Sequence, residues 1–162
     1  MILAHIPAGY LLTTGILSRF GGQPRRVLAI GLLASVLPDF DLAWFYLIDG
    51  RHPAHHTYPT HTPAFWILFA FGCWIACRLA RLEGSGFVIS VALANLLLHL
   101  ALDSIAGNIR WLWPIKNAGL NFIDVPAKYD WWVWSFLLHW TILFEIAIAG
   151  AALVVWSRPP AK

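Results

Sequence analysis

Three stretches of this chain, residues 63–82, 87–106 and 131–156, are almost wholly apolar. Each is long enough to cross a bilayer, which takes about 20 residues, within a range of roughly 17–25. A chain of 162 residues cannot hide three such helices in a core of its own. Lipid is the solvent that accepts them. Composition agrees: 59% of the residues are hydrophobic and 12% charged, against about 25% charged in soluble domains.

Two more apolar segments precede these. Residues 6–17 form a short one, with Pro7 in the first turn, where a missing N–H costs nothing. Residues 27–48 form a long one that should break near Pro38, because proline removes a backbone donor and kinks a helix. Thr62 and Pro63 read as the N-cap and first residue of the third helix. The start of the chain has no basic region and no small-residue cleavage site, so it reads as a retained helix rather than a cleaved signal. The expectation is an all-α, polytopic transmembrane bundle of about five membrane helices, the second broken near Pro38, forming one integral membrane domain over residues 1–162. Residues 107–130 hold Trp111 and Trp113 and run into Trp131, Trp132 and Trp134, which fits a segment lying in the membrane interface.

The net charge of +3 comes without a basic stripe, so nucleic acid is not an expected partner; the lipid bilayer is. The basic residues instead report topology. Arg19, Arg25, Arg26, Arg78, Arg81, Arg158 and Lys162 fall on one side, and Arg51, Arg110, Lys116 and Lys128 on the other. The positive-inside rule then puts the N-terminus outside and the C-terminus in the cytoplasm. Cys73 and Cys77 share a helix face but make a poor metal site by themselves, and read as packing residues.

When the helices alternate in direction, one set of polar residues gathers at one depth. His5 precedes the first helix, and Asp39 and Asp41 lie in the outer half of the second. His52, His55, His56 and His61 occupy the loop before the third. His99 and Asp103 end the fourth, and His139 lies early in the fifth. His99 and Asp103 are i,i+4 on one face, with Asn95 one turn earlier, and that stripe should face the bundle rather than lipid. His139 alone reads as an interhelical hydrogen-bonding group, His52 as solvated, and Glu145, deeper in the fifth helix, as an acid that is either paired or protonated. For His5, Asp39, Asp41, His56, His61, His99 and Asp103, one shared site is a simpler account than seven separate accidents. Imidazole with carboxylate is ligand chemistry for a divalent transition metal, zinc first, with manganese or iron as alternatives, and the donors suffice for one or two ions.

Four motifs in order carry a resemblance. They are His5 in a short apolar N-terminus, Pro38-Asp39-Phe40-Asp41, His56-Thr57-Tyr58-Pro59-Thr60-His61-Thr62, and His99 followed by Asp103 on a later helix. Trp113-Pro114 follows them. Together they resemble the DUF457 family of bacterial inner-membrane proteins, described as membrane-bound metal-dependent hydrolases and including the YdjM-like proteins. Two positions depart from the family pattern: Thr57 stands where an arginine is usual, and Thr62 where a serine is.

The resemblance implies a membrane-embedded metal-dependent hydrolase in the bacterial inner membrane. Its site would open at the membrane–water interface and act on a lipid-linked phosphoester or another amphiphilic ester. His5, Asp39, His61, His99 and Asp103 would be the metal ligands, with Asp41 and His56 as catalytic or supporting groups. Arg51 and Arg110 are the cations left to bind an anionic substrate in place of the missing arginine. The alternative is a non-catalytic protein, in which the same cluster binds a structural metal, serves transport or knits a scaffold. Transporters commonly show internal repeats, and none is visible here.

Overall fold

The computed structural model describes residues 1, 3–50 and 55–158. It contains seven α-helices and no named strand among those residues. The helices are α1 (His5–Phe20), α2 (Pro24–Ala34), α3 (Asp41–Leu47), α4 (Pro63–Leu79), α5 (Ser85–Asp103), α6 (Trp132–Leu137) and α7 (Ile142–Trp156). α5 packs on α1, α2 and α4, and α1 also packs on α7, so α5 and α1 form the centre of the bundle.

Local chemistry explains the boundaries. Pro24 and Pro63 open α2 and α4 at positions whose N–H would be unpaired anyway. The expected break in the second apolar segment is present. α2 stops at Ala34, a 3₁₀ turn runs over Leu37–Phe40, and α3 restarts at Asp41. The two arms are bent by 53°. Pro38 has no N–H, and the amide of Asp39 bonds back to Val36 at 3.1 Å, so neither of these amides caps the carbonyl of Ser35.

Thr62 does not cap α4 through its side chain; its hydroxyl donates to the Pro59 carbonyl at 2.7 Å and tightens the turn that holds His61. Close approach of α1 and α2 depends on Gly31. A Cβ there would stand 2.2 Å from the Thr13 hydroxyl.

The fifth apolar segment is not one helix. It divides into α6 and α7 across residues 138–141, where the amides of His139, Ile142, Leu143 and Phe144 all bond three residues back. The His139 ring bonds the Thr141 hydroxyl at 3.0 Å, a local alternative to helical pairing. This shortens the reach of the bundle. Among the described residues, α5 alone is long and apolar enough to cross a membrane by itself, and the bent pair Pro24–Leu47 makes a second candidate. α4 and α7 are apolar but shorter, with 17 and 15 residues. The all-α reading holds, and among the described residues one helix, or two with the bent pair, has membrane-crossing length. The 107–130 segment is a loop folded back on the end of α5, with an isolated bridge between Ile109 and Leu120 and amides of Phe122 and Ile123 bonded to Ser104 and Ile105.

Polarity is inverted relative to a water-soluble domain. Leu68, Phe69, Phe71, Leu79, Leu143, Ile146 and Leu153 are exposed, while His5, Thr13, His61, Asn95, His99, Asp103 and Glu145 are buried. An apolar exterior of this extent matches a lipid environment. A small apolar core of Ala34, Trp66, Leu96, Leu100 and Ile109 packs beside the polar residues.

Candidate metal centre

Four element ends meet at one place. α1 begins with His5, the kink after α2 carries Asp39, the turn before α4 carries His61, and α5 closes with His99 and Asp103. Ligand atoms of Asp39, His61, His99 and Asp103 all lie within 4.8 Å of one another. His99 Nε2 is 3.0 Å from Asp103 Oδ2 and 3.6 Å from Asp39 Oδ1. His61 Nε2 is 3.7 Å from each of the same two oxygens. A tetrahedral ion with bonds of about 2.0–2.1 Å holds its ligands roughly 3.3 Å apart, so these spacings suit a cation between them.

The ring orientations suit ligation, each with Nδ1 on an acceptor and Nε2 turned into the pocket. His99 Nδ1 lies 2.8 Å from the Ser35 carbonyl, the acceptor left available by the Pro38 kink. A neutral imidazole that donates from Nδ1 has its lone pair at Nε2, the nitrogen turned toward the two carboxylates. His61 is held the same way, with Nδ1 2.9 Å from Asp41 Oδ2. A carboxylate behind an imidazole is the common support for a metal-bound histidine. Thr60 also donates to Asp41 Oδ2 and keeps that carboxylate in place.

Electrostatics point to a cation as well. His99 Nε2 and Asp103 Oδ2 are buried and make no hydrogen bond, although they face each other. Leaving such atoms unsatisfied is costly, so they mark a place for a ligand. Burial alone would lower the His61 pKa, but the Asp39 and Asp41 carboxylates outweigh it and raise the ring to about 9. The same negative field would hold a metal ion instead of that proton. Asp39 is the exposed edge of the cluster, with 28% of its side chain open.

The remaining candidates take distinct places. His5 stacks on His99 with ring centroids 3.8 Å apart, and its Nε2 is 3.2 Å from Asp103 Oδ1. His56 Nε2 is 3.7 Å from Asp103 Oδ2. Gly107 gives His56 its room, since a Cβ there would fall 2.7 Å from His56 Cε1. Arg110 donates to the Thr57 carbonyl, beside His56. Arg51 and His52 lie outside the described residues. His139 takes no part in the cluster; its partners are Thr141 and the Trp140 ring, on its own segment.

One residue with a role at this end could be found in the sequence only as an unexplained acid. Glu145, on α7, accepts the backbone N–H groups of Leu3 and, at 3.1 Å, Ala4. It thereby satisfies amides at the start of α1, next to His5, from a helix about 140 residues away. Asn95 on α5 likewise bonds Thr13 of α1 at 3.0 Å and locks the two central helices together.

These features define a class: a helical membrane protein that buries a histidine–carboxylate pocket of metal-ligand type at one end of its bundle. The family described as YdjM inner membrane protein matches residues 1–159, and the chain belongs to that family. Comparison with curated proteins and with solved structures finds no match.

Proposed function

We propose that this protein is a metal-dependent hydrolase of the bacterial inner membrane, acting at the membrane–water interface on a lipid-linked phosphoester. The observation that carries the reading is the pocket of Asp39, His61, His99 and Asp103, buried except at Asp39 and with the Nε2 atoms of both imidazoles turned into it by acceptors behind Nδ1. Zinc is the first choice for this donor set, with manganese or iron as alternatives. When bound, the metal would polarise the scissile group and acidify a water. Multiple membrane passes, with the N-terminus outside, complete the proposal; the alternation that brings His5, Asp39, His61 and Asp103 to one end supports it.

The chain's own groups divide the remaining work. Asp41 orients His61, since its Oδ2 is taken by that ring and by Thr60. His56 is half-buried at the pocket edge, where it stands in position to take a proton from water. Arg110, held at Thr57, supplies the guanidinium for a phosphoryl oxygen.

A groove of about 580 Å³ lined by Leu37, Phe40, Trp44, Tyr58, Phe65 and Phe69 also includes Asp41 and Thr60, so it runs up to the support of His61. Its aromatic walls suit a lipid tail. The test is a hydrolysis screen in lipid nanodiscs with phospholipids and polyprenyl phosphates. Release of phosphate or headgroup that stops with chelator and in His99→Ala supports the reading. A stoichiometrically metallated, folded protein that cleaves none of them contradicts it and favours a structural metal.

A further inference from the structure

The oxygens of Asp39 and Asp103 face two different sets of donors. Asp103 Oδ2 faces His99 at 3.0 Å and His61 at 3.7 Å, whereas Asp103 Oδ1 faces His5 at 3.2 Å. Asp39 divides in the same sense: Oδ1 faces His99 at 3.6 Å and His61 at 3.7 Å, and Oδ2 faces His5 at 4.0 Å. The two carboxylates thus stand between the His61–His99 pair and His5. The His5 and His99 rings are nearly parallel, 19° apart, with centroids 3.8 Å from each other. Their Nε2 atoms address opposite oxygens of one carboxylate.

We infer that the pocket is a two-cation centre: one ion on His61 and His99, a second on His5, with Asp39 and Asp103 bridging them. The inference rests on the metal-centre reading above and deepens it.

Three observations carry it. Paired catalytic metals stand roughly 3.5–4 Å apart, and two imidazoles stacked at 3.8 Å, with Nε2 atoms on opposite oxygens of Asp103, can each face one ion of such a pair. The His5 position also has further oxygen and positive charge around it. His5 Nε2 is 2.9 Å from the Met1 carbonyl, and the Met1 ammonium sits 2.6 Å from Asp103 Oδ1, almost fully buried. A cationic group is therefore already attracted to that side of Asp103. Charge gives the third reason. Asp39, Asp41 and Asp103 bring three negative charges to one small volume. With the Met1 ammonium counted against them, one divalent ion only brings the pocket to neutrality, whereas two leave it positive, which attracts a phosphate. Two ions also serve both the attacking and the leaving oxygen of an in-line displacement. The substrate class is then an anionic phosphoester rather than a neutral acyl ester.

The experiment is metal counting joined to manganese spectroscopy on the full chain in detergent. Wild-type protein is expected to hold about two ions per chain, and His5→Ala about one, with the ion on His61 and His99 retained. Loaded with manganese, the wild type should give the resonance of an exchange-coupled pair, and His5→Gln that of an isolated ion. The coupled signal needs no variant to fold. One ion per chain in the wild type, unchanged in His5→Ala and without coupling, overturns the inference and leaves the single-metal reading standing. No bound ion in folded protein overturns both.

Discussion

The two ends of the bundle handle charge in opposite ways. At one end Arg19, Arg25, Arg26 and Arg78 are exposed in the terminal turns of their helices and Arg81 on the turn between α4 and α5. At the other, His5, His61, His99 and Asp103 are almost completely buried. Each end has a groove of similar size, about 570 Å³ beside Arg26, Arg81 and Glu83 and about 580 Å³ beside Asp41 and Thr60. Size does not separate them; desolvation does. Exposed arginines cost little and report topology. Buried ionisable groups are expensive and persist where they hold one another or a ligand. The buried end is therefore the one whose charges could hold a metal ion.

The largest effect that would break this contrast is loss of metal. Asp103→Asn keeps the shape of the side chain but removes a charge shared by His5, His56, His61 and His99. Elemental analysis should find no stoichiometric metal in it, and undiminished metal would remove Asp103 from the centre. Asp41→Asn should be milder. Supporting carboxylates typically contribute about 10–100-fold in metal affinity, so competition with a chelator should show a loss of that size through His61.

Glu145→Leu leaves the Leu3 and Ala4 amides without their acceptor. That should cost roughly 1–3 kcal/mol, read as a lower unfolding midpoint in detergent, with Glu145→Gln recovering most of it. Gly107→Ala should push His56 from the pocket edge and press on the Asp103 carbonyl, which the new Cβ would meet at 2.9 Å, visible as reduced turnover with some loss of metal. Arg26→Ala with Arg81→Ala, at the opposite end, should move stability by no more than about 0.5 kcal/mol each and metal content not at all. A metal loss there would erase the distinction between the ends.

Much of the buried end was legible because its signals are local. Proline at 38 predicts a kink whatever surrounds it, and the i,i+4 spacing of His99 and Asp103 puts both on one helix face. Helix alternation then brings His5, Asp39 and His61 to the same end. What escaped depends on contacts distant in sequence or on competition within a turn. Glu145 finds its partners at Leu3 and Ala4, across the whole chain. The division of α6 from α7 follows from His139 and Thr141 bonding each other, which an apolar run of that length does not announce. His139 has a sequence depth similar to the cluster but remains outside it, because depth does not specify which face a side chain takes. Thr62 looked like a cap, yet its hydroxyl found a nearer acceptor at Pro59.

X-ray absorption at the metal edge of the purified wild-type protein tests the central claim most directly. The account predicts a bound transition metal surrounded by nitrogen and oxygen at about 2.0–2.2 Å, with the outer-shell scattering of imidazole rings, and loss of that imidazole signal in His99→Ala. A fully hydrated ion, sulfur ligation from Cys73 and Cys77, or a spectrum unchanged in His99→Ala would contradict it.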